Sequence, residues 1–213
     1  MATVLYVGNR TRPDIILALG ELCKRVKAPT EEDDRKLDRM IAYLRSTRDL
    51  PLTLGCSNPP IVTVSIDAAY SNRDKKRSTT GMCVTLGTGI FVTVSKVQKT
   101  ATKSSTEAEI VAVSDGMNIP LWLRDFITFQ GYSKEPVHLE QDNMSCITLL
   151  QKGESTATAT KYIDVKRFWI SDYIMRGEVI VKYVPTLEMT SDYFTKPLQG
   201  SLFDKLHNRI MGV

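Results

Sequence analysis

Four carboxylates stand where an α/β fold concentrates chemistry. Asp67 ends the β-branched run IVTVSIDAAY, and Asp142 ends PVHLEQD. Glu109 falls in the first turn of a helix opened by KSSTEAE, and Asp192 follows the run EVIVKYV. In open α/β sheets, sites gather at the carboxyl ends of strands. Acids converging there without balancing bases repel one another. Divalent cations resolve that repulsion: Mg²⁺ takes hard oxygen ligands, often a few carboxylates plus substrate phosphates. Two ions about 4 Å apart hold the attacking and leaving oxygens of an in-line phosphoryl displacement. The pattern points to a carboxylate site for two Mg²⁺ ions, with Mn²⁺ as a substitute. Taken singly, each acid is also an ordinary strand-end or capping residue.

The two neighbouring glutamates have different tasks. Ser104-Ser105-Thr106-Glu107 reads as a capping box, in which a serine caps the helix and Glu107 reaches back. Glu109 shares a helical face with Ala112, Val113 and Gly116, all small or apolar. That face packs on a sheet, where a carboxylate is costly unless it is paired or binds a cation.

The elements that must position these acids follow from periodicity. The first fifty residues read as helical, with Pro13 in a first turn and Thr30 opening EEDDRKLDRMIAYLRST. A break at DLPLTLGCSNPP precedes the strand of Asp67. GMCVTLG and GIFVTVSK form a hairpin on a tight Gly-Thr-Gly turn. The KSSTEAE helix runs toward Gln130 with a kink at Pro120. A strand, a short helix stopped at Gly153, a second helix stopped at Gly177, a strand, a short helix around Asp192 and a terminal amphipathic helix follow. The order β-β-β-α-β-α-α-β-α implies a mixed five-stranded sheet covered by helices.

Composition is that of a globular protein: 213 residues, 42% hydrophobic, 24% charged, net charge +4. No long apolar run predicts a membrane span, and the N-terminus lacks the pattern of a secretory signal. The expected setting is cytoplasmic, with a virus-like particle or the nucleus open. Cys23, Cys56, Cys83 and Cys146 form no CxxC pair and read as free, buried thiols. Basic residues cluster in NRDKKRS, SKVQKTATKSS and TKYIDVKR; each cluster alone is an ordinary solvated surface.

The motifs RSTTG (77–81), SKVQ (95–98), SSTEAE (104–109), LWL (121–123), QDNMSCITL (141–149), TKYIDVK (160–166), YVPT (183–186) and SDYFTKPL (191–198) resemble, in order and spacing, the ribonuclease H domain of copia-type LTR retrotransposon Pol polyproteins. GNRTRPDIILAL and IAYLRST resemble the segment joining reverse transcriptase to that domain. The resemblance implies a ribonuclease H-like α/β fold over residues 61–213, a helical end of the reverse transcriptase or connection segment over 1–50, and a linker at 51–60. It implies an endonuclease cutting the RNA strand of RNA–DNA hybrids, with Asp67, Glu109, Asp142 and Asp192 as catalytic metal-binding acids. Asn143 matches a position that contacts the substrate backbone. Lys75, Lys76, Arg77, Lys96, Lys103 and Lys161 are the expected phosphate contacts, holding position rather than reading sequence. The expected partners are the hybrid and the polyprotein's reverse transcriptase domain, with no membrane.

Two departures stand out. Tyr162 replaces the histidine of the Thr-Lys-His-Ile-Asp pattern, and no histidine lies between Val184 and Asp192. His138 reads as structural and His207 as a surface residue. Trp122 and Trp169 are expected in the core, and Tyr162 is expected to pack. The alternative reading is a non-catalytic nucleic-acid-binding or connection module.

Overall fold

The computed structural model describes residues 2–71, 77–152 and 161–213, Lys161 by its backbone alone. Three helices come first: α1 (Ala2–Arg10), α2 (Ile16–Cys23, entered through a 3-10 turn at Pro13–Ile15) and α3 (Glu31–Ser46). Thr30 caps α3: its hydroxyl accepts the Asp33 N–H, and the Asp33 carboxylate accepts the Thr30 N–H at 2.9 Å. Four acids fill that first turn, where the helix dipole favours them.

The strands β1 (Gly55–Cys56), β2 (Thr63–Ala69), β3 (Thr79–Thr85), β4 (Gly87–Thr88) and β5 (Val92–Val97) precede α4 (Ser105–Gly116) and α5 (Asn118–Phe129). Then come β6 (Val137–Gln141), α6 (Met144–Lys152), α7 (Lys161–Met175), β7 (Val179–Tyr183), two 3-10 helices (Thr186–Glu188 and Thr190–Phe194) and α8 (Gly200–Met211). The main sheet has the order β5-β3-β2-β6-β7. β3 runs antiparallel to both β2 and β5, whereas β6 runs parallel to β2 and β7 parallel to β6. This is the mixed five-stranded α/β sheet that the element order implied.

Strand alternation sorts the two faces. Val64, Ile66 and Ala68 of β2 point, with Met82 and Val84 of β3, into a core closed by α4, α6 and α7. The opposite face carries Ser65 and Asp67 of β2 and Cys83 of β3; there Cys83 packs with Ile16, Ile90, Phe194, Leu206 and Ile210. The N-terminal helices thus dock on the second face through α2.

Several local expectations change. The predicted long helix is two helices that meet at Met117. Pro120 has no N–H to donate and is best placed in a first turn, so the helix restarts around it rather than kinking through it. The restart buries Pro120, Leu121 and Arg124, and turns Trp122 outward, 64% exposed and stacked on Phe126. The core position expected for Trp122 is therefore wrong, while Trp169 does pack against the core. Tyr162, expected to pack, is half exposed, its hydroxyl accepting from Thr100 Oγ1 at 3.3 Å. Cys83 and Cys146 are buried and Cys23 and Cys56 exposed, all four as free thiols. The stop at Gly153 lies outside the described residues.

The hairpin turn is not tight. Its last paired residues are Val84 and Val92, and Gly87–Thr88 pair instead with Gly55–Cys56. Residues 51–60 are held along this loop and the C-terminus: Thr53 N–H donates to Met211 O at 2.8 Å, and Ser57 N–H to Leu86 O at 2.8 Å. The Thr53 carbonyl sits against Gly89 and Gly212, where a Cβ would lie 2.1 and 2.2 Å from its oxygen. Both glycines have positive φ, so space and backbone alike require glycine there.

Candidate active site

Gln98, from the SKVQ motif, fixes the start of α4. Its side-chain amide donates to Ala108 O at 2.8 Å and to Thr80 Oγ1 at 3.2 Å. Ser104 caps the helix by accepting the Glu107 N–H at 3.1 Å. The Glu107 carboxylate accepts from Lys103 N–H at 2.8 Å, one residue earlier than a standard capping box. Glu109 is buried on the sheet side, while Ala112 and Val113 are fully buried. Gly116 completes that face: a Cβ there would meet Ile66 and Met82 at 3.0 Å.

Asp67, Glu109 and Asp142 come together, with one carboxylate oxygen from each lying within 4.8 Å of the others. Asp67 ends up on the second face of β2, opposite Gly81 of β3. Asp142 follows β6, and its carboxylate accepts from Thr186 Oγ1 at 2.8 Å. Gln141, fully buried, ties the three segments together. Its amide nitrogen donates to Glu109 at 3.2 Å and to Ile66 O at 3.3 Å; its oxygen accepts the N–H groups of Asp142 and Asn143.

Asp192 reaches the same edge from the 3-10 helix Thr190–Phe194. It lies outside the three-acid group and instead meets Asp67 through Lys196, whose ammonium is 2.8 Å from Asp192 and 3.7 Å from Asp67. Thr195 Oγ1 donates to Asp67 at 2.5 Å. Ser191 is fastened to Ser65 of β2 by an Oγ–Oγ bond of 3.1 Å. The close approach needs Gly81, where a Cβ would fall 2.5 Å from Thr195 Cγ2 and 2.7 Å from Ser191 O. Gly81→Ala is therefore expected to push this segment off β3, costing about 1–3 kcal/mol in urea unfolding and weakening any activity that needs Asp192. Unchanged unfolding and activity would show that the segment yields freely.

Burial, and then the charge of Asp67, raise the Glu109 carboxyl well above the ordinary range. Burial raises Asp192 too, with the Asp67 charge adding to it and Lys196 opposing it. Among the described residues no ion pair involves Glu109 or Asp142. A buried carboxylate held high by its neighbours, beside two further oxygen donors, is a donor set suited to a hard divalent cation. The residues present fit Mg²⁺ at Asp67, Glu109 and Asp142.

The other expected site residues distribute differently. Asn143 Oδ1 accepts the Cys146 N–H at 3.0 Å and so caps α6. Arg77, Lys96 and Lys103 are exposed, with Lys103 held near Tyr70 through its backbone carbonyl. Lys75 and Lys76, and the Lys161 side chain, lie outside the described residues. His138 on β6 contacts Lys182 at 3.1 Å, away from the acids. His207 is not on the surface as expected: it is half-buried against Tyr43 and Asp14 of the N-terminal segment. Sequence reasoning missed Gln98, Gln141, Thr195 and Lys196, although all four stand inside the quoted motifs. Gly81 is the same kind of signal, since a glycine within a strand marks a close backbone approach.

No family model matches the chain. It is 28% identical over 204 residues to the retrovirus-related Pol polyprotein from transposon TNT 1-94 of Nicotiana tabacum, and 30% identical over 203 residues to that from transposon RE1 of Arabidopsis thaliana. These matches cover 96% and 94% of this chain but only 15% and 14% of the relatives. A solved RNase H1 isolated from compost aligns with a TM-score of 0.45 and 10% identity, over 63% of this chain and 92% of that one. Along nearly its whole length the chain is thus similar to a small part of the retrovirus-related Pol polyproteins of plant transposons, and the motifs that carry the likeness lie in order on a mixed five-stranded sheet.

Proposed function

We propose that the chain is a divalent-cation-dependent endonuclease that cleaves the RNA strand of RNA–DNA hybrids during retrotransposon reverse transcription. The observation that carries this is the convergence of Asp67, Glu109 and Asp142 within 4.8 Å, from three separate elements, at the carboxyl edge of the sheet. Asp67, Glu109 and Asp142 would hold the first cation, and Asp192 with Asp67 a second. Such ions supply positive charge for the phosphodiester oxygens and a lowered pKa for water. The protein itself contributes rigid placement. Gln141 orients Glu109 and the backbone at Asp142, Thr186 and Thr195 orient two carboxylates, and Ser191 holds the last acid's segment on β2. Asn143, Arg77, Lys96 and Lys103, with Lys75, Lys76 and Lys161, would bind substrate phosphates, and the RNA strand would be selected by its 2′-hydroxyls. The reverse transcriptase domain of a longer polyprotein is the proposed partner in the chain.

The test is cleavage of an end-labelled hybrid with and without Mg²⁺, using duplex DNA and duplex RNA as controls. Mg²⁺-dependent scission of the hybrid's RNA strand alone is expected. Tight hybrid binding by folded protein without any scission would overturn the nuclease reading in favour of a binding or connection module.

A further inference from the structure

The two cation positions implied by the acids are not equivalent. Asp67, Glu109 and Asp142 face one another, and none of the described basic side chains pairs with Glu109 or Asp142. The Asp67–Asp192 side is already neutralised, because the Lys196 ammonium sits 2.8 Å from one carboxylate and 3.7 Å from the other. A divalent ion bridging Asp67 and Asp192 would need the space that this ammonium fills, and it would be repelled by the ammonium at contact distance. We propose that Lys196 is a built-in cation that holds the second metal position until it is displaced, so that the chain loads its cations one after the other. This inference rests on the nuclease reading above.

The local chain geometry supports a movable occupant. Lys196 lies one turn beyond Asp192, and its N–H donates to Asp192 O at 3.0 Å, so its stem starts beside the carboxylate. The side chain is 42% exposed, leaving a way out to solvent, whereas the Asp67 and Asp192 side chains are buried. Thr195, directly before it, is tied to Asp67 and cannot follow. Swinging out, the ammonium would leave two carboxylates facing each other, a state that a second divalent ion stabilises. Lys196 is therefore a positioning residue whose charge sets the order of metal entry.

The experiment is Mn²⁺ binding to the protein free of nucleic acid, followed by titration calorimetry and by the electron paramagnetic resonance signal of free Mn²⁺. The wild-type chain is expected to bind one Mn²⁺ in the range where Lys196→Met binds two, the second at least about tenfold more tightly than in wild type. Lys196→Arg, which keeps the charge, should behave as wild type, and this separates loss of charge from misfolding. Equal stoichiometry and affinity in wild type and Lys196→Met would overturn the role of Lys196 while leaving the nuclease reading untouched. Absence of Mn²⁺ binding in all three proteins would overturn both.

Discussion

Asp142→Asn is expected to lower cleavage of the hybrid's RNA strand by about 10³-fold or more while leaving the protein folded. On the proposed function Asp142 is a metal ligand, and losing one would remove several kcal/mol of charge stabilisation, with each 1.36 kcal/mol tenfold in rate. Asp142 is the least buried of the three clustered acids, and among the described residues its side chain bonds to Thr186 alone, so the amide is accommodated locally. Glu109→Gln should be equally inactive but carry a second signature. Glu109 is buried beside Asp67, so the neutral amide relieves repulsion and desolvation. Its melting temperature without divalent ions should rise by roughly 2–4 °C, the effect of about 1 kcal/mol in a chain of this size. Single-turnover cleavage and thermal melts in chelator check both variants. Full activity in Asp142→Asn would remove that residue from the site. A destabilised Glu109→Gln would show that the carboxylate is structurally satisfied as it stands.

The second large effect concerns the N-terminal helices. Asp14, fully buried at its side chain, accepts from Arg12 Nε at 3.0 Å, from Arg12 Nη2 at 2.7 Å and from the Tyr43 hydroxyl at 2.7 Å. Since the Tyr43 proton goes to Asp14, the 3.1 Å contact between that hydroxyl and His207 must be donated by the imidazole Nε2–H. Arg12 also holds Thr47 at the end of α3. Asp14→Ala leaves this guanidinium buried and unpaired, which costs about 3–5 kcal/mol. Chemical unfolding should show that loss; a change below 1 kcal/mol, by the scale of exposed pairs, would mean the network is solvated.

The same network sets a pH dependence. Burial would raise Asp14, but hydrogen bonds and charge from His207, Arg12 and Tyr43 outweigh it and hold the carboxyl well below its usual range. Its contribution is present above the unfolded pKa of about 3.9 and is lost as pH falls toward the depressed value. His207 is raised, first by Asp14, whose carboxylate lies 3.6 Å away, and against its own burial. Its contribution is complete below the unfolded pKa of about 6.5 and is lost as pH rises through the raised value. Stability from this contact should be greatest between those limits, and His207→Gln should flatten the alkaline side of the profile.

The element order and the mixed sheet were legible because Asp67, Asp142 and Asp192 end or follow strand-like runs, and helical phase alone turns Glu109 toward the sheet. Residues that act across the chain were harder to see. Pro120 was read as a kink because periodicity continues through it; only the missing N–H decides that the helix restarts. The Gly-Thr-Gly loop looked like a tight turn because its pairing is with Gly55–Cys56, far upstream in the sequence. His207 looked solvent-facing on an amphipathic helix whose partner, Tyr43, comes from the other end of the sequence. Lys196 was passed over because nothing local shows that its neighbours are Asp67 and Asp192.

The segment from Thr190 to Met211 supplies Asp192, the Thr195 bond to Asp67 and the strap that Met211 makes to Thr53. These residues follow every strand of the main sheet in the chain. A ribosome-bound chain ending before Thr190 can pair β2 with β3 and β6, yet it presents Asp67 without its fourth acid or its lysine. Assembly of the edge therefore waits on contacts between residues far apart in sequence, which carry a large loop-closure cost.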